Sequence, residues 1–111
     1  MCGRFVTIIP PDVLAKIFGL IEKPQIEPRY SVAPTQNVGV IRCCDDANHN
    51  RFDMLKWGLV PSWSKDLSFG GHLINARSET VTKKPAFRHA IKYRRCIIPT
   101  SGFYEWDHTG G

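Results

Sequence analysis

Val38-Gly39-Val40-Ile41-Arg42 and Phe52-Asp53-Met54-Leu55-Lys56-Trp57-Gly58-Leu59-Val60 are two apolar-rich runs separated by a polar stretch over residues 45–50. Runs of this length and content, joined by Asp and Asn, predict a β-hairpin. Upstream, residues 3–9 predict a first strand. Pro10-Pro11-Asp12 then opens a short helix carrying Val13, Leu14, Ile17 and Phe18 on one face, and Gly19 closes it. Pro24, Pro28 and Pro34 punctuate the next stretch and predict an extended, irregular path through Arg29-Tyr30-Ser31-Val32-Ala33 in place of a regular ladder. Downstream, Pro61-Ser62-Trp63 ends the second hairpin strand, and Leu73-Ile74 delivers Asn75-Ala76-Arg77 to a junction where Ser78 is a candidate cap for a helical turn over 79–83. Pro85 starts a second helical turn with Phe87, Ile91 and Tyr93. Residues 96–98 and 103–106 are expected strands, separated by Pro99-Thr100-Ser101-Gly102. The pattern predicts a mixed α+β domain that is mainly antiparallel β.

The chain has 111 residues, 42% of them hydrophobic, which suits one small domain with a modest core. Arg4 and Pro10-Pro11 interrupt the first apolar stretch, no signal peptide is recognisable, and no run approaches membrane-spanning length. A cytoplasmic protein is expected. Cys2, Cys43, Cys44 and Cys96 show no CxxC spacing, so they predict reduced thiols without metal, the last three in core or partly buried positions. The net charge is +5, and Lys83, Lys84, Arg88, Lys92, Arg94 and Arg95 form the densest positive run. That run fits a polyanion surface and a solvated helix face equally. Residues 107–111 have the composition of a hairpin turn with no strand after it, so the 111 residues are expected to be the N-terminal portion of a larger domain. The edge left open offers a route to self-association.

Three places carry groups suited to chemistry. Removal of Met1 would give Cys2 a free α-amine beside its thiol. Such a residue condenses with an aldehyde to an imine, releasing water, and the thiol then adds to the imine carbon to close a five-membered thiazolidine. The plain alternative is a buried or inert thiol. Asn75 and Arg77 stand at a strand-to-helix junction, where an amide and a planar guanidinium can serve a ligand or merely secure a turn. Glu105 is flanked by Phe103, Tyr104 and Trp106. Aromatic surroundings would disfavour its ionised form, as a proton donor near neutral pH requires, unless it is simply the outward residue of an alternating strand.

Five segments together resemble the SRAP family, the SOS-response-associated peptidases or abasic-site-processing proteins. They are Met1-Cys2-Gly3-Arg4-Phe5, Arg29-Tyr30-Ser31-Val32-Ala33-Pro34-Thr35-Gln36, Trp57-Gly58-Leu59-Val60-Pro61-Ser62-Trp63, Asn75-Ala76-Arg77-Ser78-Glu79-Thr80, and Arg95-Cys96-Ile97-Ile98-Pro99 continuing to Gly102-Phe103-Tyr104-Glu105-Trp106. They occur in the family's order and span the chain.

The resemblance implies an α+β domain with a barrel-like antiparallel sheet and short helices, of which residues 1–111 are the N-terminal portion. It implies binding to single-stranded DNA and covalent crosslinking to the ring-opened aldehyde of an abasic site. Cys2 would be the nucleophile, Asn75 would position the amine or a sugar oxygen, and Glu105 would act as general acid and base and assist removal of Met1. Arg4 and Arg77 would contact phosphates, while Trp63 and Trp106 would stack on unpaired bases. Imine formation and ring closure are acid–base steps, so no metal or organic cofactor is expected. A peptidase with an N-terminal nucleophile and an inactive DNA-binding fragment are the other readings. The family's Tyr-Asn-Ile-Ala-Pro-like motif reads Tyr30-Ser31-Val32-Ala33-Pro34 here, with a hydroxyl where the family has an amide. The family's His-Asp-Arg-Met-Pro-like motif lies in its C-terminal half, and His49, His72, His89 and His108 do not stand in such a context.

Overall fold

The computed structural model describes residues 2–43 and 49–107. The expected hairpin is its most regular part. β3 (Asn37–Cys43) and β4 (Asn50–Lys56) pair antiparallel without a bulge, from Asn37 opposite Lys56 to Cys43 opposite Asn50. Most of the connecting turn expected over 45–50 lies outside the described residues. β4 stops at Lys56 instead of running to Val60, because the chain turns away at Gly58, whose φ of +132° is a conformation that essentially only glycine adopts. A side chain at 58 would also run into the carbonyl of Gly70.

A second sheet has the strand order β2-β1-β5, formed by β1 (Phe5–Thr7), β2 (Arg29–Val32) and β5 (Gly102–Phe103). Residues 29–32 therefore do form a ladder, contrary to expectation. Phe5 faces Val32 and Thr7 faces Arg29, with an irregularity between the pairs. Pro28 and Pro34 flank this strand and remove no donor from it. Phe5 pairs on its other side with Phe103, and the hydroxyls of Thr100 and Ser101 tie the approach to β5 onto β1 through Val6 O (3.0 Å) and Ile8 N (2.9 Å).

Residues 96–98 are not a strand. They contribute one bridge, in which Ile41 and Ile97 exchange backbone hydrogen bonds of 2.8 and 3.0 Å, before Pro99 removes the next donor. This bridge links the two sheets. The fold is α+β with antiparallel sheets and short helices, but among the described residues the sheets do not close into a barrel.

α1 (Pro11–Phe18) begins with proline in its first turn and ends at Gly19, whose φ of 63° and backbone N–H to Ala15 O form a left-handed cap. Of its expected apolar face, Leu14 is buried, Phe18 is half-buried, and Val13 and Ile17 are exposed. The stretch expected to be helical over 79–83 is a series of turns, and α2 (Arg88–Tyr93) starts three residues after Pro85 with no buried residue. A 3₁₀ helix (Leu67–His72) lies between. Among the described residues no helix is long and apolar enough to cross a membrane.

Phe5, Val32, Val38 and Val40 form the core between the two sheets, with Cys2 and Trp57 packed against it. Cys43 and Cys96 are exposed, which corrects the expectation of core thiols, and Cys44 lies outside the described residues. The Cys96 sulfur is nonetheless sheltered enough that desolvation raises its pKa, opposed by the charge of Arg42. On the hairpin, Asp53 accepts hydrogen bonds from Arg51 Nε (2.9 Å) and Arg42 Nε (2.9 Å), which hold its carboxyl below the usual range.

Candidate active site around Cys2

The chain ahead of β1 carries Cys2 along the edge of the core. Its half-buried side chain packs on the core cluster, and its thiol donates to Arg4 O at 3.5 Å. The opposite wall comes from residues 57–59 and 73–75, which run beside one another: Leu59 N–H donates to Leu73 O (3.0 Å) and the Trp57 indole N–H donates to Ile74 O (2.9 Å). That pairing delivers Asn75. Its side-chain amide donates to the carbonyl oxygen of Cys2 at 2.8 Å, joining residues 73 positions apart at a half-buried site. The amide thus holds the carbonyl attached to the Cα that carries the backbone nitrogen and, through Cβ, the thiol.

A cavity of about 410 Å³ opens here, lined by Cys2, Asn75 and Glu105 together with Trp57, Ile98 and Phe103 among its apolar walls. All three expected catalytic residues therefore meet in one cavity. Glu105 also lines an adjoining cavity of about 490 Å³ with Gly3, Arg4, Tyr104 and Trp106. Arg4 Nη1 donates to Ser31 Oγ at 2.9 Å, so the serine that stands in the asparagine position of the motif fixes the guanidinium. Tyr104 is held at both ends, by its N–H to Arg4 O (3.0 Å) and its hydroxyl to Tyr30 O (2.9 Å). Trp106 is 87% exposed, leaving most of its ring open to solvent.

Two expected DNA contacts stand apart. Arg77 and Trp63 are exposed and line neither cavity. The setting of Glu105 also differs from expectation. Phe103, Tyr104 and Trp106 are themselves 55–87% exposed and do not enclose the carboxylate. A further cavity of about 220 Å³, lined by Leu14, Val32, Phe52 and Met54 among others, contains none of the expected catalytic residues. Trp57, Ser31 and Tyr104 are the contributors that sequence reasoning left without roles. An aromatic directly before a glycine that leaves the strand, and a hydroxyl replacing an amide in a motif, were the available signals.

A model of the SOS response associated peptidase (SRAP) family matches residues 1–111. The chain belongs to the SRAP family. Among curated relatives, the abasic site processing protein YoaM of Bacillus subtilis is 45% identical over 109 residues, covering 96% of this chain and 47% of YoaM. The abasic site processing protein YoqW of Bacillus phage SPbeta is 42% identical over 109 residues, covering 96% of the chain and 48% of YoqW. The abasic site processing protein HMCES of Rattus norvegicus is 31% identical over 136 residues, covering all of the chain and 38% of HMCES. This SRAP chain thus spans about half the length, or less, of the curated relatives it matches. No solved structure matches it significantly.

Proposed function

We propose that this chain processes abasic sites in DNA, binding the damaged single strand and capturing its aldehyde covalently on Cys2. The observation that carries this reading is the hydrogen bond from Asn75 to the Cys2 carbonyl at a cavity that Glu105 also lines. The relatives' shared description as abasic site processing proteins supports the substrate. Once Met1 is removed, the Cys2 amine attacks the aldehyde carbon of the ring-opened deoxyribose, and loss of water gives the imine. The thiol adds to the imine carbon as its proton moves to nitrogen, closing the thiazolidine. Glu105 donates and accepts protons for sugar ring opening and water loss, and assists hydrolysis of the Met1-Cys2 bond. Asn75 holds Cys2 so that amine and thiol face one carbon. Arg4 takes a neighbouring phosphate and Trp106 stacks on a base, worth about 1–3 kcal/mol. Arg77 and Trp63 extend this contact along the strand. The exposed Ile97, Ile98 and Phe103 beside the cavity support self-association along the β5 edge.

Incubation with single-stranded DNA containing one abasic site should give an adduct that survives denaturation, gains the mass of the DNA minus water, and is abolished by Cys2→Ala. Absence of the adduct from a sample whose Met1 is shown by mass spectrometry to be removed would overturn the proposal. Cleavage of a peptide library without DNA would replace it with the peptidase reading.

A further inference from the structure

Trp57 is held in the wall of the site through both its backbone and its side chain. Its backbone is gripped on both polar groups by the turn after β2: Thr35 N–H donates to Trp57 O and Trp57 N–H donates to Gln36 O, both at 2.9 Å. Thr35 meets this geometry at φ 70°, left-handed and unfavourable for a β-branched residue, so the surrounding contacts over-determine the turn. On the side-chain face, the indole ring lies 5.3 Å from the Phe5 ring, tilted by 50°, and Cys2 packs on the same core. Immediately beyond, Gly58 and Gly70 bring two backbone segments into close approach. The fold thus fixes where the indole N–H points, and it points at Ile74 O, 2.9 Å away.

That carbonyl belongs to the peptide unit whose nitrogen is Asn75. Its orientation sets the Cα from which the Asn75 amide reaches Cys2 O at 2.8 Å. We propose that Trp57 is a positioning residue for the nucleophile, acting through Asn75 by two hydrogen bonds in series, indole to Ile74 and amide to Cys2. This rests on the proposed reaction for its consequence, but not for its geometry. An indole is a donor only, with no second tautomer or acceptor role, so its N–H serves one purpose here. A residue acting only as apolar filling would need its ring and not its nitrogen. The two uses are separable, because Phe keeps an aromatic ring and removes the donor. The half-buried Ile74 carbonyl would lose that donor, which costs on the order of a tenfold change in an equilibrium or rate.

The test uses Trp57→Phe, Asn75→Ala and the double variant, all with Met1 removed. A second probe with 3-benzothienylalanine at position 57 keeps the shape of indole without its N–H, should Phe loosen the fold. At saturating abasic single-stranded DNA, Trp57→Phe should slow adduct formation about tenfold, with the half-saturating DNA concentration unchanged. On the Asn75→Ala background the same change should slow it less than about twofold, because the route through Asn75 is already cut. Hydrogen exchange of the Asn75 side-chain amide, followed by NMR without DNA, should accelerate about tenfold in Trp57→Phe. Equal slowing on both backgrounds would make Trp57 structural and overturn the proposal. So would an Asn75 amide whose exchange is unchanged. If the unaltered protein forms no adduct, the abasic-site reading fails, and the exchange measurement alone decides the role of Trp57.

Discussion

The wall around Cys2 and the basic segment over residues 83–95 are built in opposite ways. At the wall, hydrogen bonds join residues far apart in sequence: Asn75 to Cys2 across 73 positions, Tyr104 to Tyr30 across 74, and Arg4 to Ser31 across 27. In the basic segment the contacts are local. His89 and Lys92 both lie against Tyr93 of their own helix, at 4.8 and 5.3 Å, and α2 buries no residue. Long-range bonds fix position, whereas a solvated row of charges supplies a field that needs no fixed geometry. On the proposed function, the first region carries the chemistry and the second supplies attraction.

The sharpest way to break this contrast is at Asn75. Asn75→Ala frees the Cys2 carbonyl, and misplacement of a nucleophile by about 1 Å costs about 10²-fold in rate. Adduct formation measured at saturating DNA should fall by about that factor while affinity for undamaged single-stranded DNA stays within about twofold. An affinity loss matching the rate loss would mean that Asn75 binds DNA and does not position the nucleophile.

Ser31 sharpens the same point with a smaller effect. Its hydroxyl holds an exposed guanidinium, so Ser31→Ala should weaken binding to undamaged single strands about three- to tenfold, the scale of one hydrogen bond. Ser31→Asn, which keeps a side-chain acceptor, should restore most of it. The salt dependence of binding should be unchanged, since Arg4 keeps its charge in every variant. A reduced salt slope in Ser31→Ala would show that the contact to phosphate depends on this hydrogen bond.

How much of this was legible in the chain follows from the same distinction. The β3–β4 hairpin and α1 were readable because their signals are local: a polar turn between two apolar runs, and proline and glycine at the two ends of a helix. The grouping of Cys2, Asn75 and Glu105 was legible through the family's motifs, which carry three-dimensional proximity that no single segment states. What failed was non-local. Whether residues 29–32 join a ladder depends on β1 offering an edge, and whether 96–98 become a strand depends on β3 being free for more than Ile97. The surroundings of Glu105 misled for a related reason, since aromatic neighbours in sequence alternate in direction and need not enclose the residue between them.

The basic segment carries the smallest expected effect and the clearest division of outcomes. Lys83→Gln, Lys84→Gln and Lys92→Gln together remove three charges from a chain whose net is +5. Screening over about 8 Å at physiological ionic strength leaves a distant row of charges little grip on a bound strand. If these lysines act only through the field, affinity should fall about two- to threefold at low salt, the gap should close as salt rises, and the saturated rate of adduct formation should not change. If each touches a phosphate, the slope of log affinity against log salt should flatten by about 2, from about 0.7 per contact on a single strand. A flattened slope would place the segment over residues 83–92 within the DNA path and extend the binding surface well beyond the Arg4 and Trp106 cavity. An unchanged saturated rate in either case leaves the chemistry with the long-range hydrogen bonds around Cys2.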